Sequence, residues 1–360
     1  VNHTTTSGKI TEPASVPRII VSGIGTGGHY FPAIVVARAL LRRNLDVVFL
    51  VRSGSMEERV ARGHGLRTFS VNARPFYGVS IPMKLNFVLS LLVAVYRLHA
   101  LTRHAIGLAF GGFGAVALIL SCKVNRSAYY VFEPNRIPGR ATRRFAASAT
   151  RVFLGLPLVS ELAGRVVVTG IPVRREFKER RAKSSFKKKS ATTSVLFYGG
   201  SQGARRLNEL ALELRSSMLN RWRLTIISGQ RDYERMRKME DSRTRVLPFT
   251  ERPWEEIGQA DIVVSRAGAL AGYEILCMGK KTIFIPFPYA IDDHQYHNAE
   301  YFSRVGDATV LQEQHLSVEM LSTRIKDLLK RKSVGTKHLI RNAEEKIVKL
   351  LLSDIRYEKT

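Results

Sequence analysis

The sequence predicts an α/β protein of two doubly wound parallel-sheet domains facing a cleft. Three observations carry that prediction. Short apolar runs alternate with helical patterns along nearly the whole chain, which marks strand–helix–strand units and a parallel sheet. The pattern starts twice, at Arg18-Ile-Ile-Val21 and at Val195-Leu-Phe-Tyr198, and each start runs into a glycine-rich turn and a helix. Between the halves, residues 176–193 are charged and nonperiodic and read as an interdomain linker. At 360 residues the chain is also too long for one compact core.

In the first half, the turn Ser22-Gly-Ile-Gly-Thr-Gly-Gly-His29 leads into a helix expected over 31–43. A strand over 46–51, a helix over 55–64 and a strand over 67–71 follow. Residues 76–104 break the rhythm. Their apolar core, 87–95, is too short to span a bilayer, which needs about 20 apolar residues. With Lys84, Arg97 and Arg103 at its flanks, the segment suits a helix at a lipid surface, a buried core helix, or one that does both with two faces. A strand over 106–110 ends in Gly111-Gly-Phe-Gly114, and a strand over 127–131 ends in Phe132-Glu-Pro-Asn135. Strands over 151–154 and 166–169 close the half. Both loops lie at strand C-terminal ends, where open α/β sheets bind ligands.

The second half opens with the strand before Gly199-Gly-Ser-Gln-Gly203 and a helix over 206–219. Strands are expected over 224–228, 245–249, 261–264 and 282–286, with helices over 231–240 and 254–257 between them. Ser265-Arg-Ala-Gly-Ala-Leu270 opens a helix carrying Glu274, and 287–298 reads as a polar loop. Helices over 317–330 and 336–352 finish the chain. The expected division is a flexible tail 1–16, a first domain 17–175, the basic linker 176–193, a second domain 194–335 and a C-terminal helix 336–360 packing back toward the first domain.

The net charge is +27 and uneven, about +16 in residues 1–176 and about +11 in the rest. A basic surface attracts anionic lipid, nucleic acid or phosphorylated substrates. No zinc spacing, RNP pattern or basic heptad helix accompanies it, so nucleic acid is not an expected partner. Cys122 and Cys277 stand far apart without metal-ligand spacing, which favours a reducing compartment. The first sixteen residues lack the apolar stretch of a signal peptide.

Gly23, Gly25 and Gly28 satisfy a dinucleotide-binding fingerprint. A dehydrogenase would need an acidic residue ending the second strand, or an Arg for a 2′-phosphate. Asp46 begins that strand and Arg52 follows it, so NADP stays open on this motif alone. A dehydrogenase has no need of the second glycine loop. Two loops facing a shared cleft suit glycosyl transfer from a nucleotide sugar. The 199–203 backbone and the Ser201 hydroxyl can hold a diphosphate. Glu274 can accept hydrogen bonds from both ribose hydroxyls, and Gln295 and Asn298 can meet sugar hydroxyls. No Asp-x-Asp metal motif is present.

On Gly25-Thr-Gly-Gly-His-Tyr-Phe-Pro32, Glu133-Pro-Asn135, Gly170-Ile-Pro-Val-Arg174, Gly199-Gly-Ser-Gln-Gly-Ala-Arg205, Ser265–Leu270 with Glu274, and Asp293-His-Gln-Tyr-His-Asn298, the chain resembles the MurG family over about 18–350. The resemblance implies a GT-B fold of two Rossmann-like domains. It implies transfer of N-acetylglucosamine from UDP-GlcNAc to lipid I, the undecaprenyl-diphosphate-linked acceptor. It places His29, the candidate base, and Asn135 at the reacting centre. Arg174, Ser201, Gln202 and Gly203 would hold the donor diphosphate. Phe249, Thr250 and Leu270 would flank the uracil, Glu274 the ribose, and Gln295 with Asn298 the sugar. Thr26, Gly27, Gly28, Gly111, Gly112, Phe113 and Glu133 would face the acceptor and its diphosphate. No cofactor is required, although a divalent cation can assist. The expected location is peripheral, on the anionic cytoplasmic face of the bacterial inner membrane. A different lipid acceptor, or a nucleotide-sugar binder impaired in catalysis, are the alternatives. The chain departs from the family pattern at Phe113, Phe132, Pro134, Ala271, Tyr273 and His294.

Overall fold

The computed structural model describes residues 17–25, 27–71, 81–184, 192–200, 203–217, 222–333, 335–336 and 339–357. The first half builds a seven-stranded sheet from β1 (Ile19–Ser22), β2 (Val47–Val51), β3 (Arg67–Ser70), β4 (Ile106–Ala109), β5 (Tyr129–Glu133), β6 (Arg151–Leu154) and β7 (Val166–Val168). Their order is β3-β2-β1-β4-β5-β6-β7, parallel throughout. The second half repeats the plan with β8 (Thr193–Tyr198), β9 (Trp222–Ile227), β10 (Thr244–Leu247), β11 (Ile262–Ser265), β12 (Lys281–Phe284) and β13 (Ala308–Val310), ordered β10-β9-β8-β11-β12-β13. The central strands are buried on both faces, which explains why they read as continuous apolar runs rather than alternating ones.

Strand order reverses between β1 and β4 and again between β8 and β11. At each reversal two loops diverge to opposite faces and leave a crevice at the strand C-terminal ends. The two crevices face each other across the molecule. Four helices border them: α1 (Gly27–Leu41), α4 (Gly112–Val124), α7 (Arg205–Ser217) and α10 (Ala269–Cys277). One apolar cluster runs through both halves, joining Ile19, Phe49 and Phe132 to Phe177, Leu196, Tyr273 and Ile347.

Several elements differ from the sequence reading. Helix α1 starts at Gly27, four residues early, and Pro32 lies inside it. The segment read as a nonperiodic linker contains α6 (Arg175–Ser184), anchored by Phe177, which is fully buried and meets Trp254 edge-on at 5.7 Å. Residues 185–191 lie outside the described residues. The last five residues of the expected polar loop 287–298 instead begin α11 (His294–Val305), a helix whose buried face is only Asn298, Ala299 and Phe302. So narrow an apolar stripe leaves little periodicity to read.

The last helix, α13 (Ala343–Tyr357), packs on α1. Arg151 donates to Asp354 through Nε at 2.9 Å and Nη2 at 2.6 Å, and Glu345 is held by Arg43. The second half is thereby tied to the first through its own C-terminal helix.

The 76–104 stretch supplies α3 (Ile81–Thr102), which packs on α4; 76–80 lie outside the described residues. Thr102 Oγ1 lies 2.8 Å from Ser121 Oγ, and Asn125 Nδ2 donates to the His99 carbonyl at 2.7 Å. With that face fixed by these polar contacts, Val88, Leu89, Leu92, Val93 and Tyr96 stand out in solvent, Tyr96 at 83% exposure.

Candidate active-site cleft

A cleft of about 830 Å³ lies between the halves. Its first wall is the start of α1 with Gly27, Gly28 and His29, joined by Asn135 from the loop after β5. His29 projects from the first turn of α1, and its ring fills the gap between two glycines. A Cβ on Gly25 would lie 2.8 Å from the His29 Nδ1, and one on Gly111 would lie 2.8 Å from its Nε2. Gly112 has φ +74, and a Cβ there would lie 2.0 Å from the Ile24 carbonyl, so only glycine fits this approach of the two loops. Enclosure pulls the His29 pKa down to about 4, leaving the imidazole neutral at pH 7.

The second wall holds Gly203, Leu270, Glu274 and Gln295 with Arg174 between the halves. Gly203 has φ +73, and a Cβ on it would lie 2.4 Å from the Ser228 carbonyl, so glycine lets this residue sit close to the chain just after β9. Glu274 sits in α10, 2% exposed, and accepts from Arg174 Nη2 at 3.2 Å. Burial pushes its carboxyl up to about 7, against the pull of Arg174. The guanidinium stacks on Phe31 at 4.1 Å, Trp254 at 4.9 Å and Phe177 at 5.1 Å, and its Nη1 donates to the Glu251 carbonyl. Three rings from α1, α6 and α9 (Pro253–Gln259) thus fix the cation that faces the carboxylate. Phe31 and Trp254 have no local sequence signal; the cage exists only once three helices meet.

Other expected residues lie elsewhere. Glu133 accepts from the Asn135 and Gly139 backbone N–H groups, from Asn135 Nδ2 and from Thr142 Oγ1. Both its oxygens are engaged in shaping its own loop. Asn298 is fully buried and clasps the halves together. It accepts from the Arg136 N–H at 3.1 Å and donates to Asn135 Oδ1 at 3.0 Å and the Ala267 carbonyl at 3.2 Å. Both hydrogens of its amide are thus used inside the protein, one of them between the domains. Gly111 and Gly112 shape the His29 pocket from behind, and Phe113 meets Phe87 of α3 at 5.2 Å instead of the cleft. Phe249 and Thr250 do not line the cleft either; Thr250 Oγ1 accepts from the Arg252 N–H. Thr26, Ser201 and Gln202 lie outside the described residues.

Three of the departures from the family pattern serve packing. Phe113 belongs to the α3 contact just described, and Phe132 packs on Phe110 at 4.9 Å. Tyr273 donates its hydroxyl to the Ile340 carbonyl at 2.7 Å, tying α10 to the segment before α13. Pro134, Ala271 and His294 border the cleft itself. Arg266, part of the Ser265–Leu270 motif, forms an ion pair in the cleft wall at 2.5 Å with Glu313, which has no motif around it. Among the described residues, no cluster of three His, Cys, Asp or Glu side chains is placed to hold a metal.

Comparison with known proteins agrees with this geometry. The N-terminal domain of glycosyltransferase family 28 matches residues 19–154, and the C-terminal domain of that family matches residues 194–352. The chain belongs to glycosyltransferase family 28. A family relative from Sulfurihydrogenibium sp. is 30% identical over 94% of this chain and 99% of its own length. One from Coxiella burnetii is 34% identical over 83% of this chain and 86% of its own. Both are named "UDP-N-acetylglucosamine--N-acetylmuramyl-(pentapeptide) pyrophosphoryl-undecaprenol N-acetylglucosamine transferase". The crystal structure of Acinetobacter baumannii MurG superposes with a TM-score of 0.72 at 24% identity, covering 94% of this chain and all of that one. The shared fold is the two-domain GT-B arrangement.

Proposed function

We infer that this chain is an inverting N-acetylglucosaminyltransferase that moves the sugar from UDP-GlcNAc to the C4 hydroxyl of the MurNAc-pentapeptide of lipid I, giving a β-1,4 linkage and lipid II. The observation that carries this reading is one cleft with the two switch-point crevices as its walls, His29 on one and Glu274 on the other. Glu274 as a carboxylate accepts from the two ribose hydroxyls, and the backbone around Gly203 with the start of α7 meets the diphosphate. The acceptor oxygen attacks the anomeric carbon as the bond to the UDP oxygen breaks on the opposite face. An α-linked donor therefore yields a β-linked product. UDP carries away the bonding electrons, and the acceptor's proton passes to a base.

His29 is that base in this reading. Its neutral form can take a proton, but a group that titrates near 4 is a weak base. The acceptor diphosphate, bound beside the ring, brings negative charge that raises the pKa toward neutrality as the substrates assemble. Division into an acceptor domain before α6 and a donor domain after it follows from the same assignment.

The lipid-linked acceptor also gives α3 a role. Its apolar stripe 88–96, with Arg97 and Arg103 nearby, lies on the half that carries the acceptor wall. The helix is about 33 Å long, and no helix among the described residues is long and apolar enough to cross a membrane. Peripheral attachment at an anionic cytoplasmic membrane face fits that surface. Transfer of label from UDP-GlcNAc to a short-chain lipid I analogue tests the function. Absence of transfer, or equal transfer to unrelated lipid acceptors, would reject it.

A further inference from the structure

The Arg266–Glu313 pair stands apart from the roles above. Arg266 is 9% exposed and lies in the loop between β11 and α10, whereas Glu313 follows β13. The Nη1 of Arg266 donates to the carbonyls of Ile285 and Pro286, each at 3.1 Å, and meets the Glu313 carboxylate at 2.5 Å. The guanidinium also lies 5.4 Å from the centre of the Phe287 ring. One side chain therefore grips the start of the loop that leads from β12 to α11.

That loop needs a grip. It enters α11 through two consecutive non-glycine residues of left-handed backbone, Asp292 at φ 51 and Asp293 at φ 53. Such residues are strained unless neighbouring structure holds them. The loop also sets the orientation of Gln295: the Phe287 backbone N–H donates to Gln295 Oε1 at 3.1 Å. A backbone N–H can only donate, so the amide is fixed with its oxygen engaged and its NH₂ left to donate elsewhere. Gln295 borders the cleft.

We propose that Arg266, held by Glu313, is a positioning residue that fixes the Gln295 amide as a donor to the transferred sugar and so sets which sugar the enzyme accepts. The proposal rests on the donor reading given above. A sugar hydroxyl that accepts from this NH₂ keeps its bond only while the loop stays in register. An epimer with that hydroxyl turned away loses it, and discrimination of this kind depends on a polar group held in place.

The experiment uses the full chain and the variants Glu313→Gln, which keeps the shape and removes the charge, and Glu313→Asp, which keeps the charge. Steady-state transfer is measured with UDP-GlcNAc and with its 4-epimer UDP-GalNAc, together with the affinity for UDP, which has no sugar. A thermal melt shows that each variant is folded. In Glu313→Gln, KM for UDP-GlcNAc is expected to rise and the preference over UDP-GalNAc to shrink about tenfold, with UDP affinity unchanged and Glu313→Asp restoring part of the preference. Arg266→Lys is expected to act in the same direction.

An unchanged preference in Glu313→Gln overturns the proposal. Equal losses of UDP and UDP-GlcNAc affinity also overturn it, since the pair would then merely support the domain. A wild-type chain that neither transfers N-acetylglucosamine nor distinguishes the two donors would remove the donor reading itself, and the proposal with it.

Discussion

Glu274 offers the sharpest test of the donor site, because burial and function pull its proton in opposite directions. In the free chain its carboxyl is raised from 4.5 to about 7. The folded protein therefore keeps a proton that the unfolded chain has released, and the stability linked to this group falls as pH rises from 4.5 toward 7. Ribose needs the opposite state, a carboxylate accepting two hydroxyls. If only the ionised form binds, apparent affinity drops by the fraction ionised, which is about one tenth near pH 6 and nearly complete near pH 8. UDP-GlcNAc is thus expected to bind about tenfold more tightly near pH 8 than near pH 6, a difference of about 1.4 kcal/mol. The sugar nucleotide is the proper ligand, since its diphosphate is doubly esterified and does not itself titrate in this range. Isothermal titration across that window, with Glu274→Gln as the control, gives the answer. The variant is expected to bind weakly and without the slope. A flat profile for the wild-type chain, or an undiminished slope in Glu274→Gln, would refute the assignment of the ribose to this carboxylate.

Four further outcomes follow. His29→Ala should leave UDP-GlcNAc affinity intact and lower turnover by about 10²–10⁴-fold, read from binding and transfer on the same preparation; an unchanged rate removes His29 as base. Because the His29 pKa is lowered from 6.5 to about 4, the unfolded chain takes up a proton that the folded one refuses, so stability is lost as pH falls from 6.5 toward 4. His29→Asn should flatten that part of a pH–melting curve. Asn298→Ala removes the acceptor for the Arg136 N–H and the donor to Asn135, and should cost about 1–3 kcal/mol in denaturant unfolding. Leu92→Glu with Val93→Lys should abolish sedimentation with anionic vesicles while changing stability by no more than about 0.5 kcal/mol, since both side chains are exposed; retained binding would argue against α3 as the membrane face.

The sequence by itself determined the two-domain α/β plan. Buried parallel strands must be apolar on both faces, and each ligand turn must be glycine-rich, so β1, β8 and their loops are written locally. The same logic made His29, Gly203 and Glu274 legible, since each follows a strand at a fixed place in its unit. Tertiary structure decided what those residues touch. Sequence cannot show which polar side chains are already engaged inside the protein: Glu133 and Asn298 read as binding groups, and in the structure Glu133 holds its own loop while Asn298 bridges the two halves. Nor could it show α11, whose buried face is three residues wide, or the aromatic cage of Arg174, assembled from α1, α6 and α9. The pairs that tie the halves together are far apart in the chain: Arg174 and Glu251 by 77 positions, Asn135 and Asn298 by 163. Contacts at that separation leave no local pattern in the chain; they form only when the two sheets close around a common cleft.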